Sequence, residues 1–341
     1  MLTIANIRLR YENHLALDDV SLAIEDGEIL AVVGPSGSGK SSLLRVVAGL
    51  ENPESGSVHL DSADVTNTPV HERNIGLMFQ DYALFPHLSV SENVAFGLRM
   101  RRTQPTDLQA RVAEVLQWVG LTDFASRPVE SLSGGEQQRV ALARCLAPTP
   151  RVMMLDEPVG ALDRALRARL VPELAVLLRS IGLPTIYVTH DQDEAFAIAD
   201  RIAILFNGRI VQCDLPQALW QAPVTEFVAR FLGFENFADV RVRDGTAATP
   251  WGAVSTDLAD GDHRIVIRPD GLSLDRTGDL VGELRASTFV AGQHHLTVSC
   301  LGHELIVHAR RQPPPIGTAI RIAVRRDALS IVSTNSEQPR L

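Results

Sequence analysis

Gly34-Pro35-Ser36-Gly37-Ser38-Gly39-Lys40-Ser41 matches the pattern G-x-x-x-x-G-K-[S/T] and lies between a short apolar run, Ile29–Val33, and a helical stretch over 40–49. The chemistry is phosphate binding: the glycines let the backbone wrap closely, so that its N–H groups and the helix N-terminus face an anion. In that setting Lys40 reaches the β/γ-phosphates and the Ser41 hydroxyl ligates Mg²⁺. A glycine-rich turn that merely joins strand to helix is the plain alternative. Val152-Met153-Met154-Leu155-Asp156-Glu157 is an apolar strand ending in two acids, which would present both carboxylates beside the phosphate loop, unless it is simply a solvated acidic turn. Between the two lies Leu132-Ser133-Gly134-Gly135-Glu136-Gln137-Gln138-Arg139, the start of a helix with Ser and two Gly at its N-terminus. That too suits phosphate, and Ser133-x-x-Glu136 also reads as a capping box.

These residues need strand ends brought side by side. Residues 2–10 and 16–24 alternate apolar positions, as a pair of opening strands would, and residues 25–28 read as the turn that follows. The continuous apolar runs Ile29–Val33, 152–155 and 185–189 read as strands buried on both faces, and helical segments alternate with them. The first two thirds of the chain is therefore expected to be α/β with a largely parallel sheet, its ligands at the carboxyl ends of the strands. After about Phe234 the texture changes to short alternating segments at 264–267, 282–289, 296–300, 305–308 and 319–324, which turn sequences separate. That is how a small β-barrel or sandwich reads. A domain boundary is placed near Asn236, and the polar tail 333–341 reads as loose.

Composition agrees with an ordinary globular chain. Its 341 residues are 45% hydrophobic, 21% charged and 5% aromatic, which suits two or three domains and excludes collagen-like, disordered and disulfide-scaffold classes. A net charge of -9 repels phosphate backbones and weighs against nucleic acid as the main partner. No run of about 18 apolar residues appears and the N-terminus shows no secretory pattern, so a chain neither exported nor membrane-spanning is expected. Cys145, Cys213 and Cys300 lie far apart without CxxC spacing, which fits a reduced, cytoplasmic setting.

LSGGEQQR, taken with the phosphate loop and VMMLDEP, resembles the nucleotide-binding subunits of ATP-binding cassette (ABC) transporters. The resemblance implies a P-loop NTPase fold of ABC type in residues 1–235, with a helical subdomain at about 86–150. It implies ATP and Mg²⁺ as cofactors, the nucleotide held by Gly34, Pro35, Ser36, Gly37, Ser38, Gly39, Lys40, Ser41 and Ser42, and Mg²⁺ by Ser41, Gln80 and Asp156. Glu157 would polarise the attacking water, with His190 at the γ-phosphate and Lys40 sharing in catalysis. Tyr11 would stack on adenine, Gln80 would report to membrane subunits, and Asp163, in Ala161-Leu162-Asp163, matches the D-loop. Read alone, Tyr11 would be packing, Gln80 a solvated loop residue and His190 a structural histidine. Gly160 departs from the family, which usually has Ser there, so that residue's cross-subunit hydrogen bond is not carried over.

One phosphate loop and one signature per chain imply a dimer of two copies, in which Ser133, Gly134, Gly135 and Glu136 of one subunit share ATP with Lys40 of the other. Residues 81–94, DYALFPHLSVSENV, resemble the type I importer subunits that power sugar, polyamine, ferric-iron or thiamine uptake. Transmembrane permease subunits are then the partners, a substrate-binding protein is involved indirectly, and the chain sits peripherally on the cytoplasmic face of the cell (inner) membrane. From the residues alone, Leu84, Phe85 and Leu88 could equally be core under a loop. Residues 236–341 resemble the TOBE domain, a small all-β, OB-like module. This one is shorter than in sugar-importing relatives, which favours ferric iron, thiamine or polyamine over sugar.

His294, His295, His303 and His308 suggest a metal cluster, but no pair has helical ligand spacing and strand alternation sends His294 and His295 to opposite faces, so they read as surface histidines. Cassette proteins of DNA repair would need a long coiled-coil insertion and those of translation two fused cassettes, and neither is present. A module that senses ATP without turnover would be expected to lack Glu157 or His190.

Overall fold

In the computed structural model, which describes residues 1–12, 14–160 and 162–334, the opening alternation forms β1 (Leu2–Tyr11) and β2 (His14–Ile24), an antiparallel pair. β3 (Ile29–Val33) follows and is buried along its whole length, as its unbroken apolar run requires. The phosphate-loop sequence then leads into α1 (Lys40–Ala48), which Gly49 ends in the left-handed conformation at φ 79°. β4 (Ser55–Leu60) and β5 (Ala63–Asp64) complete a first sheet in the order β2-β1-β4-β5. After β6 (Ile75–Met78) come three helices, α2 (Val90–Met100), α3 (Pro105–Trp118) and α4 (Gly134–Leu146). Capping boxes start α2 at Ser89/Glu92 and α4 at Ser133/Glu136.

β7 (Val152–Asp156), α5 (Arg164–Ile181), β8 (Thr185–Val188), α6 (Gln192–Ile198), β9 (Arg201–Phe206) and β10 (Arg209–Asp214) complete a second sheet, ordered β10-β9-β3-β8-β7-β6. All its neighbouring pairs are parallel except β10 with β9. The carboxyl ends of β3, β8, β7 and β6 therefore stand in a row, and the residues that follow them gather along one edge of the sheet. Beneath that edge, Leu30, Val32, Leu43, Val47, Met154, Ile186, Val188 and Leu205 share one core with the apolar face of β1 and β2. Each such fully buried side chain stabilises the fold by about 1.5–3 kcal/mol relative to exposure.

A charged clasp joins the two sheets. Asp18 on β2 accepts hydrogen bonds from Arg209 Nη2 (2.5 Å) and Nε (2.8 Å) on β10, and from Arg8 Nη2 (2.7 Å) on β1. The Arg209 hydrogen bond, with Arg8 behind it, holds the Asp18 carboxyl below the usual carboxylate range. A depressed carboxyl stabilises the fold above its unfolded pKa of about 3.9, and the contribution is lost as the pH falls through the folded value. Asp18→Asn is accordingly expected to cost about 1–2 kcal/mol at neutral pH, the arginines being half exposed. Urea unfolding should show that deficit shrinking once the pH drops below about 4.

Packing divides the chain into two compact units, Met1–Pro216 and Gln217–Leu341. The second carries α7 (Pro216–Gln221), of which it holds all but the first residue, and α8 (Glu226–Phe231). Its strands are β11 (Asn236–Arg243), β12 (Thr246–Thr249), β13 (Gly252–Ser255), β14 (Gly261–Ile267), β15 (Leu272–Leu274), β16 (Leu280–Val290), β17 (Gln293–Cys300), β18 (His303–Ala309), β19 (Ala319–Val324) and β20 (Leu329–Ile331). They form two antiparallel sheets, β13-β12-β11-β14-β20 and β15-β19-β16-β17-β18, closed over a core that includes Val240, Ile265, Leu284, Leu296, Val298 and Leu305. This is the all-β, OB-like fold expected of the C-terminal region.

The break in packing lies upstream of the composition change at Asn236, because α7 and α8 are bound to the β-unit. Ser330 Oγ and Arg268 Nη1 donate to Gln221 O at 2.8 and 3.1 Å, and Arg264 pairs with Glu226 at 3.1 Å. Of the tail read as loose, Ser333 bridges to Thr225, and residues 335–341 lie outside the described residues. His295 and His308 stack across β17 and β18 with ring centroids 4.1 Å apart, while His294 packs on Phe289 at 4.9 Å. Among the described residues no helix is long and apolar enough to cross a membrane, and no group of three or more His, Cys, Asp or Glu could hold a metal ion.

Candidate active site

The phosphate loop runs from the end of β3 to the start of α1, and its glycines answer two different needs. A Cβ on Gly34 would come within 2.1 Å of Leu205 O, and one on Gly39 within 2.4 Å of Ala16 O, so neighbouring backbone excludes any side chain there. Gly37 faces open space but holds φ 79°, the left-handed region that glycine adopts without strain. No side chain caps α1 at Gly39, which leaves its first N–H groups free to face an anion. Lys40 Nζ folds back onto Gly34 O (2.8 Å) and Pro35 O (2.9 Å), tracing the rim of the loop, and the residue is only 8% exposed. Burial lowers its pKa, while Glu157 and Asp156 pull the other way.

Asp156, the last residue of β7, accepts a hydrogen bond from the Ser41 hydroxyl; burial first, then the neighbouring Glu157, raises its pKa. A hydroxyl and a carboxylate meeting in a phosphate site are the hard oxygen donors that suit a divalent cation. Glu157 adopts φ 47°, uncommon outside glycine and costing on the order of 1–3 kcal/mol, while its N–H donates to Val188 O at 2.9 Å. Both carboxylate oxygens are engaged. Gln80 Nε2 donates to Oε2 at 3.0 Å, and His190 Nδ1 stands 3.0 Å from Oε1. Gln80 follows β6 and His190 follows β8, the two strands flanking β7. A carboxylate fixed from both sides at the mouth of a phosphate loop can orient a water molecule and accept its proton.

The D-loop follows directly on this cluster, Gly160 N–H donating to Glu157 O at 3.0 Å. Asp163 caps α5, accepting from the N–H groups of Ala165 and Leu166 at 3.0 Å each, and Ala161 lies outside the described residues. A side chain at Gly160 would put its Cβ 3.3 Å from Glu157 Oε2, so glycine leaves the carboxylate uncrowded. Ser133 Oγ donates to Glu136 Oε2 at 2.7 Å in the capping box. Gly134 and Gly135 are closely packed, since added Cβ atoms would meet Leu162 at 2.9 Å and Leu170 at 3.1 Å. Among the described residues no hydrogen bond or ion pair links the signature to the phosphate loop. Ser36 and Ser41 are exposed and Ser42 is half-buried. Tyr11 ends β1, packs partly against the core, and has its hydroxyl buried with no hydrogen-bond partner among the described residues.

Two residues of this neighbourhood carry no local sequence signal. Arg167 on α5 donates to Asp191 Oδ2 (3.0 Å) and Leu162 O (3.2 Å) and stands 3.4 Å from Glu194 Oε1, joining the segment after Glu157 to the segment after His190. Tyr82 Oη donates to Pro158 O at 3.1 Å, and burial raises its pKa. The 81–94 segment is half-buried at Leu84, Phe85 and Leu88, with Phe85 packed on Phe96 at 4.4 Å and Asn93 bonded to Phe85, Leu88 and Ser89 carbonyls.

Comparison with known proteins agrees with this geometry. A family described as ABC transporter matches residues 17–160. The Fe(3+) ions import ATP-binding protein FbpC of Streptomyces coelicolor is 47% identical over 338 residues, covering 97% of this chain and 96% of that protein. The putrescine transport ATP-binding protein PotG of Escherichia coli is 43% identical over 270 residues, covering 78% and 72% respectively. The dimeric structure of MJ0796, a bacterial ABC transporter cassette, superposes with a TM-score of 0.56 at 32% identity, over 63% of this chain and 99% of that one. With its phosphate loop, paired acids and signature helix set on this sheet, the chain belongs to the ABC transporter family, among its ATP-binding subunits.

Proposed function

We propose that two copies of this chain form the ATP-hydrolysing motor of an importer whose substrate is ferric iron. The observation that carries the motor is the meeting of Lys40, Asp156, Glu157, Gln80 and His190 at the ends of four adjacent parallel strands. In this reading the loop N–H groups from Gly34 to Ser42 and the Lys40 ammonium hold the phosphates, and Tyr11 lies against the adenine. Ser41, Asp156 and Gln80 would hold Mg²⁺, and the Ser41–Asp156 hydrogen bond already brings two of the three donors together. Mg²⁺ held there would supply positive charge that neutralises the phosphates. Glu157 orients the attacking water and takes its proton, Gln80 and His190 fix the carboxylate, and His190 also reaches the γ-phosphate.

The partner's Ser133, Gly134, Gly135 and Glu136 close over the nucleotide, the first N–H groups of α4 facing its phosphates. Asp163 lies beside this closing face. The single phosphate loop and single signature of the chain, together with the dimeric MJ0796 cassette, support the pairing. Residues 1–235 act as the ATPase, with α2 to α4 as its helical subdomain, and residues 236–341 act as a TOBE domain. Permease subunits dock on residues 81–94, where Leu84, Phe85 and Leu88 are half-buried, so that the chain works peripherally at the cytoplasmic face of the membrane and meets a substrate-binding protein only indirectly.

Ferric iron is favoured by the relative that matches almost end to end and is named for Fe(3+) import. A polyamine is the second reading, favoured by the putrescine relative. The pairing is tested by light scattering of the Glu157→Gln chain: mass should double on adding MgATP and return when ATP is removed. A mass that stays monomeric at saturating MgATP, with ATP shown to be bound, would count against it.

A further inference from the structure

Tyr82 and Ala83 are consecutive non-glycine residues in the left-handed region, at φ 59° and 43°. That region is strained for residues with a side chain, so the surroundings must hold them. The holder is Arg144, near the C-terminal end of α4, whose Nη2 donates to Tyr82 O and Nη1 to Ala83 O, both at 2.6 Å. Its guanidinium also lies 5.4 Å from the Phe85 ring centroid. Burial lowers the Arg144 pKa, with Cys145 and Asp81 pulling the other way. A half-buried arginine bonded to two strained carbonyls fixes the shape of a loop.

The strained pair sits between Gln80, bonded to Glu157 Oε2, and Phe85, packed on α2. Tyr82 adds a second tie through Pro158 O, the residue after Glu157. Arg144 thus fixes Tyr82, which the chain joins through Asp81 to Gln80, and of these residues it is Gln80 that reaches the carboxylate. At the other end of the same helix, α4 begins with Ser133, Gly134 and Gly135.

We propose that Arg144 is a positioning residue that makes the signature helix and the Gln80 segment move as one piece, so that closing of this subunit's signature on the partner's nucleotide is felt by Glu157 at its own. The inference rests on the paired-chain reading above. Arg144 touches neither nucleotide; it acts through Gln80.

The test uses the 341-residue chain as wild type and in four variants, Arg144→Ala, Arg144→Lys, Gln80→Ala and Arg144→Ala combined with Gln80→Ala, with ATP binding and hydrolysis measured for each. Arg144→Ala is expected to lower kcat about tenfold, to leave the KM for ATP within about twofold, and to bring the Hill coefficient for ATP down to one. Arg144→Lys, which keeps the charge but not the fork that reaches two carbonyls, should fall between it and wild type. The double variant should be no slower than Gln80→Ala alone, because both substitutions cut one route. Multiplying losses, an unchanged Hill coefficient in a cooperative wild type, or ATP binding that fails together with kcat even in Arg144→Lys would each overturn the proposal. If instead the wild type is itself monomeric with a Hill coefficient of one at every ATP concentration, the paired-chain reading fails, and this inference with it.

Discussion

Replacing Glu157 by Gln is expected to slow ATP hydrolysis by about 10²–10⁴-fold while leaving ATP binding intact, the range over which a positioned general base contributes. The substitution keeps the size of the side chain and an oxygen for Gln80 Nε2 or His190 Nδ1, each now 3.0 Å from the carboxylate. It removes the proton acceptor. None of the contacts that shape the phosphate loop passes through Glu157, so nucleotide affinity should hold. Single-turnover hydrolysis and a fluorescent-nucleotide titration on the same preparation separate the two quantities. Undiminished turnover would mean that another group accepts the proton, and Asp156, hydrogen-bonded to Ser41, would be the next to examine.

The second large effect is expected at Lys40. Its ammonium is nearly buried and satisfied by two loop carbonyls, a geometry that leaves a donor for phosphate without any movement of the loop. Lys40→Ala removes the one side-chain cation within the loop and is expected to weaken ATP binding by about 10²-fold or more, as truncation of one partner of a buried charge pair does. The loop itself should survive, because Gly34 and Gly39 are fixed by their approach to Leu205 and Ala16 rather than by Lys40. Nucleotide titration reads the loss, and an unchanged melting temperature without nucleotide separates it from unfolding. Affinity equal to wild type would remove Lys40 from the phosphate site.

Much of the site is legible in the sequence because its chemistry needs contiguous residues. A loop that wraps a phosphate needs glycines at fixed spacing before a helix, and Gly34 to Ser41 can be read as such from the residues themselves. Asp156 and Glu157 are legible for a similar reason, as acids ending an apolar strand. Gln80 and His190 are different. Each follows an ordinary buried strand, and what makes them functional is that β6 and β8 flank β7. Sheet order is a long-range property that no local pattern records, so only resemblance to a family points to them. Arg144 and Arg167 are less visible still, since several of their acceptors are backbone carbonyls, which have no residue type.

The fold follows the same division. Periodicity and apolar runs place the strands read from them to within a few residues, β19 at both of its ends, whereas β4, β9 and β10 are not read from the sequence. The break between packing units is less readable. Composition changes at Asn236, where helix gives way to strand, whereas packing changes at Pro216, because α7 and α8 take their hydrogen bonds from residues such as Arg268 and Ser330 far along the chain. Helical periodicity reports that a segment is helical and not which core it joins.

The measurement that bears most directly on the whole account is uptake of labelled ferric iron by cells lacking this chain, complemented with wild type or with Lys40→Ala, with spermidine, putrescine and thiamine uptake run alongside. Iron uptake should fall in the deletion and return with wild type alone, the other three substrates being unaffected. Iron uptake that persists without the chain, or that Lys40→Ala restores in full, would contradict a ferric-iron importer driven by ATP at this site.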